Sequence, residues 1–223
     1  DFHVKVSDHS GAREVPVRLY HPDPDKTDLP LIIYTHGGGF VSGSVDAFDV
    51  PVRAIAKAAQ CVVVSIDYRL APENPYPSGI DDVFSVTAWL IENAHSLKAD
   101  ASKVIVMGDS SGANYTLLSL LRGLKQKTFT VQGQILLYPT VDLTHDYASM
   151  KDFSSGYLLE KERVDWYNEN YMPKDKNPQD PDISPLYDST LSQCPKTFVM
   201  TVGYDPLRDE GIALAEKLSH EGE

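Results

Sequence analysis

Apolar and polar residues alternate over Phe2–Ser7 and again over Val15–Tyr20, the period of half-buried antiparallel strands, with Gly11 between them where a hairpin turn is expected. Five later runs are short and continuously apolar: Leu31–Tyr34, Val62–Ile66, Val104–Met107, Ile135–Tyr138 and Phe198–Val202. Runs of this kind read as strands buried on both faces of a parallel sheet. Between them the apolar residues take helical spacing. Pro51 suits a first helical turn, and Val52, Ile55, Ala56 and Ala59 then mark one face. Ile80, Val83, Phe84, Leu90, Ile91 and Ala94 mark a second helix, with Asp81 and Asp82 well placed at the positive end of its dipole. Leu117, Leu121 and Leu124 mark a third. Strand and helix in alternation predict a right-handed, doubly wound α/β sheet.

The rhythm breaks once. After Tyr138-Pro139 the residues from Val141 to Asp182 carry no strand pattern and one predicted helix, Lys161–Met172, with Val164, Tyr167 and Tyr171 on one side. A long excursion at the carboxyl end of a strand is expected to cover a site. The alternative is that its aromatic stripe only packs on the body.

Candidate chemistry gathers at Gly108-Asp109-Ser110-Ser111-Gly112, between the strand ending at Met107 and the helix marked by Leu117. A serine at such a corner is lifted clear of the sheet on a tight turn, beside the first free N–H groups of the helix. Gly108 and Gly112 fit this reading because a Cβ at either would collide with the neighbouring strand or helix. The bland alternative is that Ser110 only caps the helix. A second corner follows the strand Leu31–Tyr34: in His36-Gly37-Gly38-Gly39-Phe40, successive glycines allow a turn whose N–H groups aim at one point, as an oxyanion hole requires. Donors are expected from Gly38 and Gly39, with a third from the backbone of Ser111. Asp205 follows the last apolar run and the turn Gly203-Tyr204, where sites gather in such sheets; the alternative, compatible with a site role, is an N-cap before Pro206.

Five segments in order resemble the hormone-sensitive-lipase group of α/β-hydrolases: His36–Phe40, Asp67-Tyr-Arg-Leu-Ala-Pro-Glu73, Gly108–Gly112, Ser184-Pro-Leu186 and Asp205-Pro-Leu-Arg-Asp-Glu-Gly211. The resemblance spans nearly the whole chain. It implies an α/β-hydrolase fold with a partial helical cap and a carboxylesterase acting on short- to medium-chain acyl esters, with Ser110 as nucleophile and Asp205 as the acid of the triad. Ser111 stands where this group more often has alanine, a departure that leaves its backbone N–H unaffected. Asp209 and Glu210 read as first-turn helix carboxylates, and Tyr68, Arg69 and Glu73 as braces beside the oxyanion loop. Other readings of the same motifs are a non-catalytic receptor resembling the plant gibberellin receptors, and an amidase or lactonase using the same serine.

Seven histidines are present: His3, His9, His21, His36, His95, His145 and His220. His36 is expected to hold the oxyanion loop, and none of the seven is assigned as base. The resemblance places the base beyond a further strand. The sequence reading is therefore one domain over residues 1–223, with a cap insertion at about 141–182, lacking its last strand, last helix and N-terminal cap helices. The histidine is then expected beyond Glu223.

Composition narrows the partners. At 223 residues and 42% hydrophobic the chain can bury one sizeable core, and a net charge of −12 repels nucleic acid and anionic membrane surfaces. No apolar run has transmembrane length. Two cysteines, Cys61 and Cys194, make no disulfide framework, and Cys61 reads as a buried small hydrophobe. The expected partner is a small-molecule ester, with no metal or organic cofactor, a homodimer as the candidate assembly and a cytoplasmic location.

Overall fold

The computed structural model describes residues 1–8 and 11–221. The alternating segments pair as the period demands: β1 (Phe2–Asp8) runs antiparallel to β2 (Gly11–Tyr20), with Val4 opposite Val15. The apolar runs become β3 (Leu29–Thr35), β4 (Val62–Ile66), β5 (Ala99–Asp109), β6 (Gly133–Leu137) and β7 (Lys196–Met200). The sheet order is β1-β2-β4-β3-β5-β6-β7. β2 meets β4 antiparallel, and every later pair is parallel.

Successive side chains of a strand point to opposite faces, and here both faces are covered, which is why the central runs are apolar throughout. Leu31, Ile33, Val62, Val64, Val104 and Val106 pack with Ile80, Val83 and Leu90 of α2 (Ser78–Glu92). Ile32, Val63 and Met107 face the other way, onto Val52 and Ala56 of α1 (Asp49–Ala59), with Cys61 buried beside them. α3 (Ser111–Gln126) lies on the α2 side, where Leu117 and Leu121 join Leu136 of β6 and Leu214 of α6 (Arg208–Glu221).

Three features depart from the sequence reading. β7 is the edge of the sheet among the described residues, and Phe198 and Met200 are 58% and 37% exposed. α6 packs against one face of it through Val199, and among the described residues the other face is left open at Phe198. Val202 falls past the end of the strand and is exposed. Asp81 and Asp82 also do more than favour a helix dipole. The Asp82 carboxylate is fully buried and accepts from Arg13 and Arg69, while Asp81 pairs with Arg122. Trp166, within the helix expected to cover a site, turns 49% of its surface outward.

The excursion after β6 contains no strand. It forms α4 (Ala148–Asp152) and α5 (Lys161–Tyr171). Both ends are tied to one buried side chain: the Asn114 amide of α3 donates to the carbonyls of Thr140 and Ile183, at 3.0 Å each. Ser184 adds a second tie, accepting from the Leu143 N–H and donating to the Pro178 carbonyl.

Candidate active site

β5 enters the corner through Gly108 and α3 leaves it at Ser111, so Ser110 must turn the chain within one residue. It does so at φ 52° and ψ −122°, a conformation that an L residue rarely occupies. The strain is held from both sides. The Ser110 N–H donates to the Leu137 carbonyl at 2.9 Å, and its carbonyl accepts from Ala113 and Asn114. The flanking glycines are required by close approach. A Cβ on Gly108 would sit 2.5 Å from the Gly112 carbonyl oxygen, and one on Gly112 would overlap the carbonyls of Thr35 and His36. The elbow is thus packed directly against the end of β3.

That end carries the glycine loop, and buried side chains fix its shape. The Asp109 carboxylate accepts the Gly37 N–H at 2.9 Å and the Tyr34 hydroxyl at 2.6 Å, tying the loop to the residue before the nucleophile. Burial raises the Asp109 carboxyl above its usual range, against the opposing effect of those two donors. His36 is fully buried, its Nδ1 is 2.8 Å from the Gly37 carbonyl, and its ring stacks on Tyr68. Only a protonated Nδ1 can donate to that carbonyl, and burial lowers the pKa of the ring, so His36 is neutral and structural. The Tyr68 hydroxyl donates to the His36 carbonyl at 2.7 Å. Phe40 stacks on Tyr171 of α5, with ring centroids 3.9 Å apart. Of the expected braces, Tyr68 touches the loop, whereas Arg69 bonds Asp82 and Ser78 of α2 and Glu73 is exposed.

Ser110, Gly39, Ser111, Thr140, His145 and Tyr167 share one cavity of about 30 Å³. Gly39 and Ser111 line its wall. Gly38 stands behind, its carbonyl accepting from the N–H groups of Val41 and Ser42 and closing the turn. Tyr167 of α5 is the roof: a Cβ on Gly39 would overlap its ring. The aromatics of α5 divide three ways, with Tyr171 in the core, Tyr167 over the cavity and Trp166 outside. A larger open groove of about 820 Å³ follows the outer side of α5 past Trp166 and Ser42, but Ser110 is not in its wall. The smaller cavity is the candidate site, because elbow and glycine loop converge there.

Asp205 lies after β7 and Ser110 after β5, both at the carboxyl edge of the sheet with β6 between them. The Asp205 carboxylate accepts the Leu207 N–H at 3.0 Å and its carbonyl accepts from Arg208, so it does cap α6. Leu207 lines the Ser110 cavity. Burial raises the Asp205 carboxyl above its ordinary range. Burial raises the Tyr138 hydroxyl at the end of β6, with the charges of Asp109 and Asp205 adding in the same direction.

The structure adds a pair that the sequence reading missed. Glu210, read as a first-turn helix carboxylate, is fully buried and accepts the Val141 N–H at 2.9 Å. Its other oxygen lies 2.9 Å from Nδ1 of His145. Neither partner carries a local signal, since they are 65 residues apart and join only through packing. Asp109 had one signal available: a lone acid ending a buried strand, immediately before the elbow serine. His9 and the His220 side chain lie outside the described residues. Among the described residues no group of His, Cys, Asp and Glu is arranged to hold a metal ion, and no helix is long and apolar enough to cross a membrane.

Comparison with known proteins agrees with this architecture. A family model described as alpha/beta hydrolase fold matches residues 32–223. The chain is 36% identical to the carboxylesterase NlhH of Mycobacterium tuberculosis, over 96% of this chain and 68% of that protein. It is 34% identical to an arylesterase of Saccharolobus solfataricus, over 100% of this chain and 71% of that protein. The crystal structure of the Pyrobaculum calidifontis esterase superposes with a TM-score of 0.92 at 34% identity, over 99% of this chain and 72% of that one.

Proposed function

This chain belongs to the alpha/beta hydrolase fold family, and on that premise we propose that it is a serine carboxylesterase cleaving short- to medium-chain acyl esters through an acyl-enzyme. The observation that carries the reading is Ser110 on a strained elbow, in the wall of a cavity that Gly39 and Ser111 also line. The relatives named carboxylesterase and arylesterase support the reaction class.

In the proposed reaction the Ser110 hydroxyl oxygen attacks the ester carbonyl while a histidine takes its proton. The tetrahedral oxyanion accepts from the N–H groups of Gly38, Gly39 and Ser111. Collapse expels the alcohol, which leaves with the proton from the imidazolium, and water then hydrolyses the acyl-serine by the same steps in reverse roles. Each oxyanion donor of this kind is worth about 3 kcal/mol in the transition state. Asp205 is assigned the task of orienting the imidazole. The resemblance puts the base beyond a further strand, so the reading assigns it to a histidine outside residues 1–223; His36 lies against Gly37 and His145 against Glu210. Residues 141–182 are proposed as the cap. A cavity of about 30 Å³ under Tyr167 favours short acyl groups.

The test is labelling with a 4-nitrophenyl alkylphosphonate followed by peptide mapping. Label is expected on Ser110 alone, and Ser110→Ala is expected to abolish ester turnover while keeping the melting temperature, since a single partly exposed hydroxyl contributes little to stability. Label on Ser111 in place of Ser110 would overturn the assignment.

A further inference from the structure

Asp205 stands on a turn that the sheet itself holds poorly. β7 is the edge strand among the described residues, and beyond it Val202 and Tyr204 are exposed. Support comes instead from the segment that follows β6. Ser149, in the short helix α4, is fully buried, and the bonds of its side chain cross to the acid turn. Its hydroxyl donates to the Pro206 carbonyl at 2.8 Å, and the same oxygen accepts the Asp209 N–H at 3.2 Å. In return the Asp209 carboxylate accepts the Ser149 N–H at 2.9 Å. A serine inside a helix ordinarily turns outward or bonds back to a carbonyl one turn earlier. Here it serves the first turn of α6, whose N–H groups have no partner within their own helix. Arg208 adds a second contact with α4: it donates to the Gly203 carbonyl at 3.2 Å, and its guanidinium lies 4.8 Å from the centre of the Phe153 ring. Glu210 adds a third tie to the same segment at the Val141 N–H.

One peptide joins these contacts to the acid. The Pro206 carbonyl and the Leu207 N–H belong to a single rigid plane. Ser149 holds that plane at its carbonyl, and Asp205 Oδ1 accepts from its N–H at 3.0 Å. The other carboxylate oxygen, Oδ2, is left to accept from an imidazole. A rotation of the plane would therefore carry the Asp205 carboxylate with it, and the Ser149 hydroxyl opposes that rotation.

From this geometry we propose that Ser149 is a positioning residue for the reaction: through the Pro206–Leu207 peptide it fixes the Asp205 carboxylate in the orientation that the imidazole of the base requires. The segment between β6 and β7 then does more than roof the Ser110 cavity, because it also aims the acid. The proposal deepens the esterase reading and rests on its assignment of Asp205 as the acid of the triad. Ser149 touches neither substrate nor the reacting atoms, and its effect is exerted through Asp205 alone.

The experiment is a kinetic double-mutant cycle on 4-nitrophenyl butyrate, with kcat and KM measured separately on folded protein. Ser149→Ala removes both side-chain bonds and frees the Pro206 carbonyl. A misplacement of about 1 Å can cost about 100-fold in rate, and replacing the acid of a serine triad by its amide costs about 10⁴-fold in kcat. We expect kcat to fall about 10- to 100-fold in Ser149→Ala with KM within about twofold of the parent. Asp205→Asn is expected to lose about 10⁴-fold, and adding Ser149→Ala to it should lower kcat by less than about twofold further, because the residue acts through a group already disabled. A merely structural role would lower the melting temperature and leave kcat unchanged, or would cost the same factor in both backgrounds. Asp209→Ala gives up the bond from the Ser149 N–H at a partly exposed side chain. It should show the same split at about three- to tenfold, and it decides the matter if Ser149→Ala does not fold. A folded Ser149→Ala within about threefold of the parent in kcat overturns the proposal, as does an unchanged kcat in Asp209→Ala when Ser149→Ala does not fold. So does a rise in KM at constant kcat, or a full additional loss in the Asp205→Asn background. An Asp205→Asn protein as active as the parent removes the acid assignment and this proposal together, whereas a disabled Asp205→Asn beside an unaffected Ser149→Ala removes only this proposal.

Discussion

Gly39→Ala tests the junction between the oxyanion loop and the covering helix. Gly39 has φ +62°, which costs an L residue about 1–2 kcal/mol relative to glycine. The added methyl would also overlap Cγ and both Cδ atoms of Tyr167. Restoring a normal carbon–carbon contact of about 3.5–4 Å requires the ring and the loop to separate by more than about 1 Å. Tyr167 is only half-buried and can yield part of this distance, with the loop taking the rest. A displacement of about 1 Å at a donor can lower the rate about 100-fold, and complete loss of the donor 10²- to 10³-fold. We therefore expect kcat/KM for 4-nitrophenyl butyrate to fall about 100-fold. The strain at φ alone would lower the melting temperature by only about 2–8 °C, at 2–4 °C per kcal/mol for a domain of this size. The cycle with Tyr167→Ala separates the two causes. Removing the ring relieves the overlap and not the φ strain, so the double variant should recover to within about tenfold of Tyr167→Ala alone. A Gly39→Ala protein within threefold of the parent in kcat/KM would refute the reasoning, because the loop would then tolerate a methyl at the point where the structure allows none.

Other outcomes follow from single contacts. Asp109→Ala leaves the Gly37 N–H and the Tyr34 hydroxyl without their acceptor, at about 1–3 kcal/mol each, and urea denaturation should show a loss of about 2–6 kcal/mol. Because burial raises the Asp205 carboxyl, the native state holds that proton more tightly than the unfolded chain does. Its contribution to stability therefore falls as pH rises from the unfolded pKa of about 3.9 through the raised native value. Asp205→Asn should accordingly be more stable than the parent at pH 7, with the difference vanishing near pH 3, as read by melting temperatures across that range. Tyr167→Ala opens the roof of the cavity and should shift the ratio of hexanoate to acetate kcat/KM upward, each newly buried methylene adding up to about 0.8 kcal/mol. An unchanged chain-length profile would make the covering segment structural only.

The central strands were legible because each is apolar on both faces, and no other short element has that signature. The elbow was legible for a related reason: a glycine two residues to either side of Ser110 answers backbone approaches that any Cβ would block. The exposure of β7 was legible only through the expectation of a further strand beside it. Phe198–Val202 has the composition of a central strand, and its surroundings, unlike its sequence, leave Phe198 58% exposed. The roles of Asp82 and Glu210 were hidden for the same kind of reason. A carboxylate in a first helical turn is favourable there whether it faces water or a buried partner, so the helix dipole explains its presence and says nothing of where it points.

The sequence by itself determined which segments are strands and helices, their alternation, and the backbone positions where only glycine fits, because these depend on local sterics and on periodicity along one chain. Tertiary structure alone decided which polar groups meet. Asp109 reaches Gly37 across 72 residues and Asp82 reaches Arg13 across 69. His145 is brought to Glu210 by the docking of α6 beside the segment that follows β6. Pairings at that separation are set by how helices and loops stack on the sheet. No periodicity in the chain encodes that stacking, and an unpaired polar residue looks the same in sequence as a paired one.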